Sequence, residues 1–376
     1  MASYLPIEAP DHLDGLVRYT SSGEPNGEQR WFCGTCGCHV FRRRLNSLDG
    51  EQEEWEVATG TVEGEDALSV EGKDAVQFKQ HVNVKDTLDG GLAVFMRDDM
   101  ENDFTPGPSV ISESSTGEEP TLPFACHCGL VRFAITRPDE SSVIPTSGFA
   151  DLLIPYHTQD PKIKNPDDEK WWLRPAAPSP FTTASEEKGT AASKRRFLAG
   201  TCTCRSCRLA SGFEIQSWAF VPASNILFSL PSLSDPMPLD FPALASYGVL
   251  KSYASSPGVL REFCPGCGAT VFWHDAFRPL LIDVSLGLLR PGPTPAGKAG
   301  FGVDVTPGSG EVSGVVKGGG PAVGSRAEAW LDWHRDRVSF SEEVGRGRDA
   351  APQALGRAEM LIRSLERGLR ESKSSG

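Results

Sequence analysis

The cysteines constrain this chain more than any other residue type. All ten of them, in a sequence of 376 residues, fall into four short groups and none stands alone. The groups are Cys33, Cys36 and Cys38; Cys126 and Cys128; Cys202, Cys204 and Cys207; and Cys264 and Cys267. Thiols that a turn brings together are among the donor sets that zinc prefers in proteins. The grouping therefore predicts metal sites built around zinc.

Disulfides are a poorer explanation of the same cysteines. The start of the sequence contains neither a basic segment nor an apolar one that follows it, so no signal peptide is predicted. We therefore expect a cytoplasmic protein, in which thiols stay reduced. A Cys-x-Cys spacing would also close a strained disulfide ring.

Composition limits the fold classes and the binding partners that are expected for this chain. The 39 glycines and 29 prolines favour short strands joined by many turns, and they argue against an all-helical bundle. The 50 acidic and 37 basic side chains give a net charge of −13, which repels phosphate backbones, so nucleic acid is not an expected partner. No apolar run reaches the length of about 18 residues that a membrane span needs, so no membrane association is predicted.

Two of the cysteine groups complement each other. Pro265 and Gly266 tighten the turn between Cys264 and Cys267, and Gly268 permits the positive φ often needed after the second ligand. Cys126 and Cys128, placed at the end of a strand, supply two more thiolates. The two pairs predict a structural four-cysteine zinc site, of a kind that contributes about 10–16 kcal/mol to folding in zinc-finger peptides.

The group Cys202, Cys204 and Cys207 then has three thiolates and no obvious fourth ligand. Three protein ligands with an open position are typical of a catalytic zinc, and that position can take water or a substrate thiolate. The alternative is a second structural site that a nearby residue or a water molecule closes. The spacing alone leaves both interpretations open.

An internal repeat organises the chain. Phe32–Phe41 resembles Phe263–Phe272, a Tyr-x-Ser-Ser stretch begins at both Tyr19 and Tyr253, and the order of the matching stretches is the same. Residues 13–97 therefore repeat the last part of a unit whose complete copy runs from about 122 to 290. The predicted divisions are a degenerate or truncated domain over 1–97, an acidic linker over 98–121, a complete domain over 122–340 with insertions at 138–196 and 290–324, and a helical tail over 341–376.

Hydrophobic periodicity predicts the local structure. Strands are expected where apolar and polar residues alternate, at 130–136, 214–221, 225–229 and 280–285. Two amphipathic helices are expected near the end of the chain. The first follows a capping-box pattern at Ser325–Glu328, and the second has apolar residues at helical spacing between Ala354 and Leu369. They are expected to pack on the β core, with partner binding as the alternative.

The complete copy resembles a known family. The motifs that carry the resemblance are Phe124-Ala-Cys-His-Cys-Gly-Leu-Val-Arg132, Gly200-Thr-Cys-Thr-Cys-Arg-Ser-Cys-Arg208 and Arg261-Glu-Phe-Cys-Pro-Gly-Cys-Gly268. In this order they are similar to those of the glutathione-dependent formaldehyde-activating enzymes, a family that includes centromere protein V. The paired copies and the long insertion resemble its fungal members. The resemblance implies a mainly β fold of tandem zinc-binding β-tent domains, the first of them degenerate.

The resemblance also implies a function. Cys126, Cys128, Cys264 and Cys267 would hold a structural zinc, and Cys202, Cys204 and Cys207 a second zinc beside a glutathione site. The expected activity is that of a carbon–sulfur lyase that joins glutathione and formaldehyde, or another small aldehyde or electrophile, into S-hydroxymethylglutathione. The rival interpretation is a zinc module without catalysis that binds a protein partner. Neither interpretation predicts an oligomeric state.

Several neighbouring side chains are candidates for the same site. Arg205 and Arg208 flank the second set of ligands and can pair with a glutathione carboxylate, although surface salt bridges are the alternative. Trp218 can wall the pocket or simply belong to the core. His127 lies between two ligands and is expected to point away from them. In the first copy, His39 and Cys38 are the candidates to complete a site with Cys33 and Cys36.

Overall fold

The computed structural model describes most of the chain. The described residues are 4–20, 28–45, 53–62, 69–70, 73–74, 78, 80–81, 83–96, 101–102, 121–150, 163–175, 195–293, 322–343 and 358–374. Within these ranges the fold is mainly β with a helix at its C-terminal end, as predicted. None of the helices in the described ranges combines the length and the hydropathy that a membrane crossing requires.

The first copy forms a five-stranded antiparallel sheet. Its strands are β1 (Tyr4–Ile7), β2 (Leu16–Thr20), β3 (Gln29–Cys33), β4 (His39–Leu45) and β5 (Glu53–Ala58). They lie in the order β1-β5-β4-β3-β2. Two short pairs follow, made by β6 (Ser69–Val70), β7 (Lys73–Asp74), β8 (Gln80–His81) and β9 (Glu101–Asn102). Short 3₁₀ helices lie at Thr59–Thr61, Lys85–Thr87 and Gly91–Phe95.

In the part of the chain that the structure describes, the second copy contains the remaining strands and two of the three α-helices. The strands are β10 (Thr121–Ala125), β11 (Arg132–Thr136), β12 (Leu173–Arg174), β13 (Arg196–Cys202), β14 (Gln216–Pro222), β15 (Ile226–Phe228), β16 (Met237–Pro238), β17 (Lys251–Ser256), β18 (Val259–Phe263), β19 (Thr270–Asp275), β20 (Leu281–Ser285), β21 (Gly292–Pro293), β22 (Ala322–Val323) and β23 (Leu331–Trp333). The α-helices among the described residues are α1 (Arg205–Ser211), α2 (Phe241–Ser246) and α3 (Glu359–Ser374). Further 3₁₀ helices lie at Glu140–Val143, Ala223–Asn225, Leu286–Leu288 and Ser341–Glu343.

These strands form two main sheets that enclose the core. The smaller sheet has the order β10-β11-β15-β16, and the larger one has the order β12-β13-β14-β20-β19-β18-β17, with β23 parallel to β13. The core between them is aromatic: the Phe133 ring lies 4.9 Å from that of Phe124 and 5.0 Å from that of Phe272. All three side chains are fully buried, and each such burial stabilises the fold by about 1.5–3 kcal/mol.

The internal repeat of the sequence is also a repeat of structure. In the larger sheet, β14-β20-β19-β18-β17 follow one another as β1-β5-β4-β3-β2 do in the first sheet. The turns inside the two hairpins share one hydrogen-bond frame. The Cys33 N–H donates to the Cys38 carbonyl over 2.8 Å, and the Cys264 N–H donates to the Ala269 carbonyl over 2.9 Å. Gly37 and Gly268 occupy equivalent positions with φ of 80° and 73°.

The two copies lock together at these turns. A Cβ atom on Gly37 would collide with the ring of Phe263, and one on Gly268 would collide with the ring of Phe32. Each glycine therefore packs against an aromatic ring of the other copy, and that ring comes directly before Cys33 or Cys264 in the sequence. Both rings are buried, so this reciprocal packing belongs to the core of the molecule. The missing side chains permit both the positive φ and the close approach.

The predicted strands are confirmed with small shifts of their ends. The four sequence segments correspond to β11, β14, β15 and β20. Of the predicted C-terminal helices, the second is confirmed as α3, whose Leu361, Ile362, Leu365 and Leu369 pack with Phe95 and Val338. Most of the acidic linker, residues 103–120, lies outside the described residues. The same holds for 151–162, 176–194 and 294–321 in the two insertions.

The first predicted C-terminal helix is wrong. The segment after Ser325 consists of turns that lead into β23, a strand parallel to β13. The groups expected to cap a helix are bound elsewhere, because the Ser325 hydroxyl and the Arg326 N–H donate to the Asp89 carboxylate over 3.1 and 2.7 Å. Trp330 and Leu331 are then buried in the main core. A cap contributes about 1 kcal/mol, which is less than this burial contributes.

Candidate metal centres

The predicted four-cysteine site is assembled in the fold. The Sγ atoms of Cys126, Cys128, Cys264 and Cys267 all lie within 4.8 Å of one another. Three of the separations are 3.4 Å (Cys126–Cys128), 3.5 Å (Cys128–Cys264) and 3.6 Å (Cys126–Cys264). A tetrahedron with zinc–sulfur distances of about 2.3 Å has edges of about 3.8 Å, so the four donors fit a zinc ion. We refer to these four residues as the quartet.

The quartet cysteines lie on two turns, one from each of the two main sheets. Cys126 directly follows β10, and its thiol accepts a hydrogen bond from the Val131 N–H over 3.3 Å. The other pair lies in the knuckle between β18 and β19, where the Gly268 N–H donates to the Cys264 carbonyl over 2.8 Å. The site therefore ties the small sheet to the large one. This placement explains why a metal there would stabilise the fold of the whole second copy.

The electrostatics of the quartet favour a cation if the thiols are to ionise. Hydrogen bonding to the Cys126 and Cys128 thiols, together with burial, raises the pKa of Cys264 far above its ordinary value. Four buried thiols so close together cannot all become thiolates unless a positive ion neutralises them. The Arg290 guanidinium, which donates to the Cys126 carbonyl over 2.5 Å, adds positive charge nearby.

The second cluster has three thiols. The Sγ atoms of Cys202, Cys204 and Cys207 lie within 4.8 Å of one another, and no other His, Cys, Asp or Glu ligand atom in the described ranges joins this group. Cys202 ends β13, and Cys204 is the N-cap of α1, where its thiol accepts from the Cys207 N–H over 3.3 Å. Cys202 and Cys207 are buried, whereas Cys204 is partly exposed. We refer to these three residues as the trio.

A buried arginine accompanies the trio. Arg261 lies on β18 with only 3% of its surface exposed. Its Nη2 donates to the Ser206 hydroxyl over 2.9 Å and to the Cys207 Sγ over 3.7 Å, while its Nε and Nη1 have no hydrogen-bond partner among the described residues. A guanidinium stays charged and is costly to bury without an anion. The thiolates of the trio supply part of that negative charge.

The charge in the trio concentrates on one thiol. Hydrogen bonds to Cys202 and Cys204, with the Arg261 guanidinium as a further cause, hold the pKa of Cys207 well below its ordinary value. Hydrogen bonding and burial raise the pKa of Cys202 in the same cluster. As in the quartet, a cation is needed before all three thiols can ionise together. The trio therefore fits a divalent metal with one coordination position that no described protein ligand fills.

Aromatic side chains enclose the trio on one side. Cys202 and Cys207 belong to a buried cluster that contains Trp171, Trp172 and Trp218. Trp171 and Trp172 come from the first long insertion, so part of that insertion reaches the core. On another side, the Thr203 N–H donates to the Ser339 carbonyl over 3.0 Å. These neighbours keep water from part of the site and leave Cys204 as its partly exposed edge.

The candidate glutathione residues take up different positions. Trp218 is buried in the same cluster as Cys202 and Cys207, which is the position of a core side chain. Arg205 is exposed at the start of α1, and its backbone N–H donates to the Glu343 carboxylate over 2.9 Å. Arg208 is buried, and its Nη1 donates to the Gly60 carbonyl of the first copy over 3.2 Å. Arg208 thus connects α1 to the first copy.

Sequence reasoning missed Arg261 as a site residue. Arg261 stands in the third cysteine motif, three positions before Cys264, but its side chain reaches the trio rather than the quartet. Only the pairing of β18 with its neighbours shows which face of the sheet the side chain occupies. Its place directly beside a ligand motif was the available signal.

None of the histidines in the described ranges contributes a ligand to these clusters. His127 points away from the quartet, as expected, and its Nδ1 hydrogen-bonds the Tyr19 hydroxyl of the first copy over 2.6 Å. His39 is buried and its ring stacks on Phe213 with 5.7 Å between centroids. The Cys38 thiol donates to the His39 carbonyl over 3.5 Å. In the described ranges, neither Cys38 nor His39 joins Cys33 and Cys36 in a group of three ligands.

Comparisons with known proteins give no relative from which the sites could be assigned. A scan against protein-family models, a search of curated proteins and a search of solved structures each found no match to this chain.

Proposed function

We propose that the chain is a zinc protein of the glutathione-dependent formaldehyde-activating type, built from two β-tent-like copies. In this proposal the quartet is a structural zinc site of the second copy. The trio binds a second zinc and receives the thiol of glutathione, which adds to formaldehyde or to another small aldehyde. The three cysteine motifs, in the order that this family shows, support the proposal.

The observation that carries the proposal is the difference between the two clusters. The quartet supplies four thiols and satisfies a tetrahedral ion, whereas the trio supplies three and has a partly exposed edge at Cys204. Arg261 brings a permanent positive charge to the trio and has two nitrogen atoms without partners. A site with an open metal position and a buried cation beside it favours an anionic thiol.

The residues of the chain have separate tasks in this proposal. Cys202, Cys204 and Cys207 would hold the zinc, which when bound favours the thiolate form of a neighbouring thiol at neutral pH. Arg261 would offset the negative charge of the thiolates from its buried position beside Cys207. Trp218 and the two tryptophans beside it exclude water from one side. Arg205, exposed at the start of α1, can pair with a second carboxylate.

The reaction itself is an addition. The sulfur–hydrogen bond of the thiol breaks and the sulfur forms a bond to the carbonyl carbon. The carbonyl π electrons move to oxygen, which takes up a proton, so the product is a hydroxymethyl thioether. No oxidant or reductant is consumed. What the chain contributes is a high local concentration of thiolate held in a fixed orientation.

Titration calorimetry with glutathione on the zinc-loaded full chain tests the proposal. Wild type is expected to bind glutathione, and a variant with Cys202→Ser, Cys204→Ser and Cys207→Ser is expected to lose one zinc and the binding. Circular dichroism should show that this variant stays folded, because the quartet is intact. Absence of glutathione binding to zinc-loaded wild type would instead favour the partner-binding zinc module.

A single substitution tests the role of the arginine. Arg261→Met keeps much of the side-chain volume and removes the charge, so glutathione affinity is expected to fall at least about tenfold, since hydrogen bonds to charged groups contribute about 1.5–3 kcal/mol. Arg205→Met is the matched control on the exposed side of α1 and is expected to have a smaller effect. Equal effects of the two substitutions would contradict the assigned role of Arg261.

A further inference from the structure

The first copy retains the backbone of the cysteine knuckle. Among the described residues it has no counterpart of the Cys126–Cys128 turn, which completes the quartet in the second copy. Its Gly37 N–H donates to the Cys33 carbonyl over 2.9 Å, as the Gly268 N–H donates to the Cys264 carbonyl over 2.8 Å. The same backbone frame thus presents Cys33 and Cys36 as it presents the two quartet cysteines of the second knuckle. Unlike those two, Cys33 and Cys36 are partly exposed.

The two thiols are hydrogen-bonded to each other and to the backbone of the turn. The Cys33 thiol is hydrogen-bonded to the backbone at Thr35 and Cys36 and to the Cys36 thiol. The Cys36 thiol has a hydrogen bond to the backbone at Cys38. Backbone N–H groups aimed at sulfur stabilise a thiolate, so the knuckle supplies two adjacent donors with their supporting hydrogen bonds in place.

The described residues around Cys33 and Cys36 offer too few donors for a tetrahedral site like that of the second copy. In the part of the chain that the structure describes, no third His, Cys, Asp or Glu ligand atom groups with Cys33 and Cys36. The two nearest candidates in sequence are engaged elsewhere: the Cys38 thiol is buried and donates to a carbonyl, and the His39 ring stacks on Phe213. Structural zinc takes four protein ligands, whereas soft monovalent cations accept two thiolates.

The knuckle is also held rigidly by the second copy. Gly37 lies against the Phe263 ring, and the Lys251 ammonium donates to the Gly34 carbonyl. A donor pair that is fixed before the ion arrives loses little conformational freedom on binding, which raises affinity. Lys251 also places a positive charge near a site that would carry two thiolates.

From these observations we propose that Cys33 and Cys36 form a two-thiolate site for a soft, low-coordinate cation of the Cu(I) type. The site is separate from the quartet and from the trio, and it does not depend on the function proposed for them. It assigns the first copy a metal chemistry of its own, different from the zinc chemistry of the second.

A competition titration tests this site on the zinc-loaded full chain under anaerobic, reducing conditions. Cu(I) is offered from its complex with the chromophoric chelator bicinchoninate, and released zinc is measured in parallel. Wild type is expected to take up one tightly held Cu(I) per chain without losing zinc. Cys33→Ser and Cys36→Ser are each expected to weaken this uptake at least about a hundredfold, since each removes one of two ligands.

Cys38→Ala is the matched control, because Cys38 lies in the same turn but its thiol points into the core. It is expected to take up Cu(I) as wild type does. X-ray absorption at the copper edge of wild type should show two sulfur neighbours, a result that does not depend on any variant folding. Zinc release that matches the copper uptake, equal uptake by the two serine variants and wild type, or three or more sulfur neighbours would each overturn the proposal.

Discussion

The knuckles of the two copies share a backbone and differ in their surroundings. At Cys264 and Cys267, the turn after β10 adds Cys126 and Cys128 and completes a set of four thiols. At Cys33 and Cys36, no such pair is added among the described residues, and the two thiols stay partly exposed. The knuckle frame alone therefore does not bring four thiols together. The added Cys-x-Cys turn determines whether four ligands meet.

The first copy nevertheless supports the second. It contributes Phe32 to the pocket over Gly268, the Tyr19 hydroxyl to His127 and the Gly60 carbonyl to Arg208. These contacts lie next to the quartet and at the helix that carries part of the trio. The first copy, whose described residues hold no group of three or more metal-ligating side chains, therefore forms part of the surroundings of both clusters.

The largest expected effect follows from breaking the quartet. Cys264→Ser is expected to leave the second copy largely unfolded, because a structural zinc contributes about 10–16 kcal/mol to folding in zinc-finger peptides. The equivalent change in the first copy, Cys33→Ser, should barely alter the melting temperature. Thermal melts by circular dichroism with zinc analysis compare the two. A Cys264→Ser protein with wild-type stability and zinc content would show the quartet assignment to be wrong.

The next effect concerns the reciprocal packing between the copies. Phe32 is 1% exposed, so Phe32→Ala is expected to lower the free energy of unfolding by about 3–5 kcal/mol through lost burial and a cavity. Phe277→Ala removes a ring that is 73% exposed and serves as the control with little effect. Urea unfolding measures both. Similar losses in the two variants would contradict the packing described between the copies.

The turns of the two copies are expected to differ in how they affect the pH dependence of folding stability. Burial lowers the pKa of His39 from 6.5 to about 3, and the equivalent position in the second copy is Thr270. The unfolded chain takes up a proton below pH 6.5 that the folded chain does not, so stability present at neutral pH falls as the pH falls toward 3. Between pH 7 and pH 5 this loss amounts to about 2 kcal/mol.

His39→Thr gives the first copy the residue of the second and should remove this part of the pH dependence. The measurement is urea unfolding of wild type and variant at pH 7 and pH 5, and the difference between their slopes isolates His39 from the other titrating groups. Identical pH slopes would mean that His39 is protonated in the folded chain.

The smallest expected effect lies at the contact between Tyr19 and the quartet turn. Burial, with the nearby thiols, raises the pKa of Tyr19 to about 12, so its hydroxyl keeps its proton. Tyr19→Phe removes the hydrogen bond to His127 and is expected to cost about 0.5–1.5 kcal/mol. Tyr253→Phe, at the repeat-equivalent position, is the control. Zinc loss to a chelator should speed up in the first variant only, and equal rates would contradict the role of Tyr19.

Local patterns predicted much of the fold and of the clusters. Alternating residues identified β11 and β14, and the spacing of the cysteines identified both the quartet and the trio. Ligand spacing is informative because a metal site needs its donors in short turns, whichever way the rest of the chain runs. The apolar spacing of α3 was equally informative, since one face of that helix is buried.

The features that local sequence patterns did not predict depend on contacts between residues that are distant in sequence. The capping-box residue Ser325 bonds Asp89, more than two hundred positions earlier, so the segment after it joins β13 as a strand. Arg261 reaches the trio through contacts with Ser206 and Cys207, which lie more than fifty positions earlier in the sequence. Likewise, the repeat shows that Gly37 and Gly268 are equivalent, but only the folded chain shows that each receives a ring from the other copy.

A count of tightly bound zinc tests the central comparison most directly. Wild type and a Cys33→Ser, Cys36→Ser double variant are dialysed against a mild chelator, and zinc per chain is measured by mass spectrometry. The account predicts about two zinc ions per chain in both proteins, one in the quartet and one in the trio. A wild-type value one ion higher than that of the double variant would place zinc on the first knuckle and contradict the account.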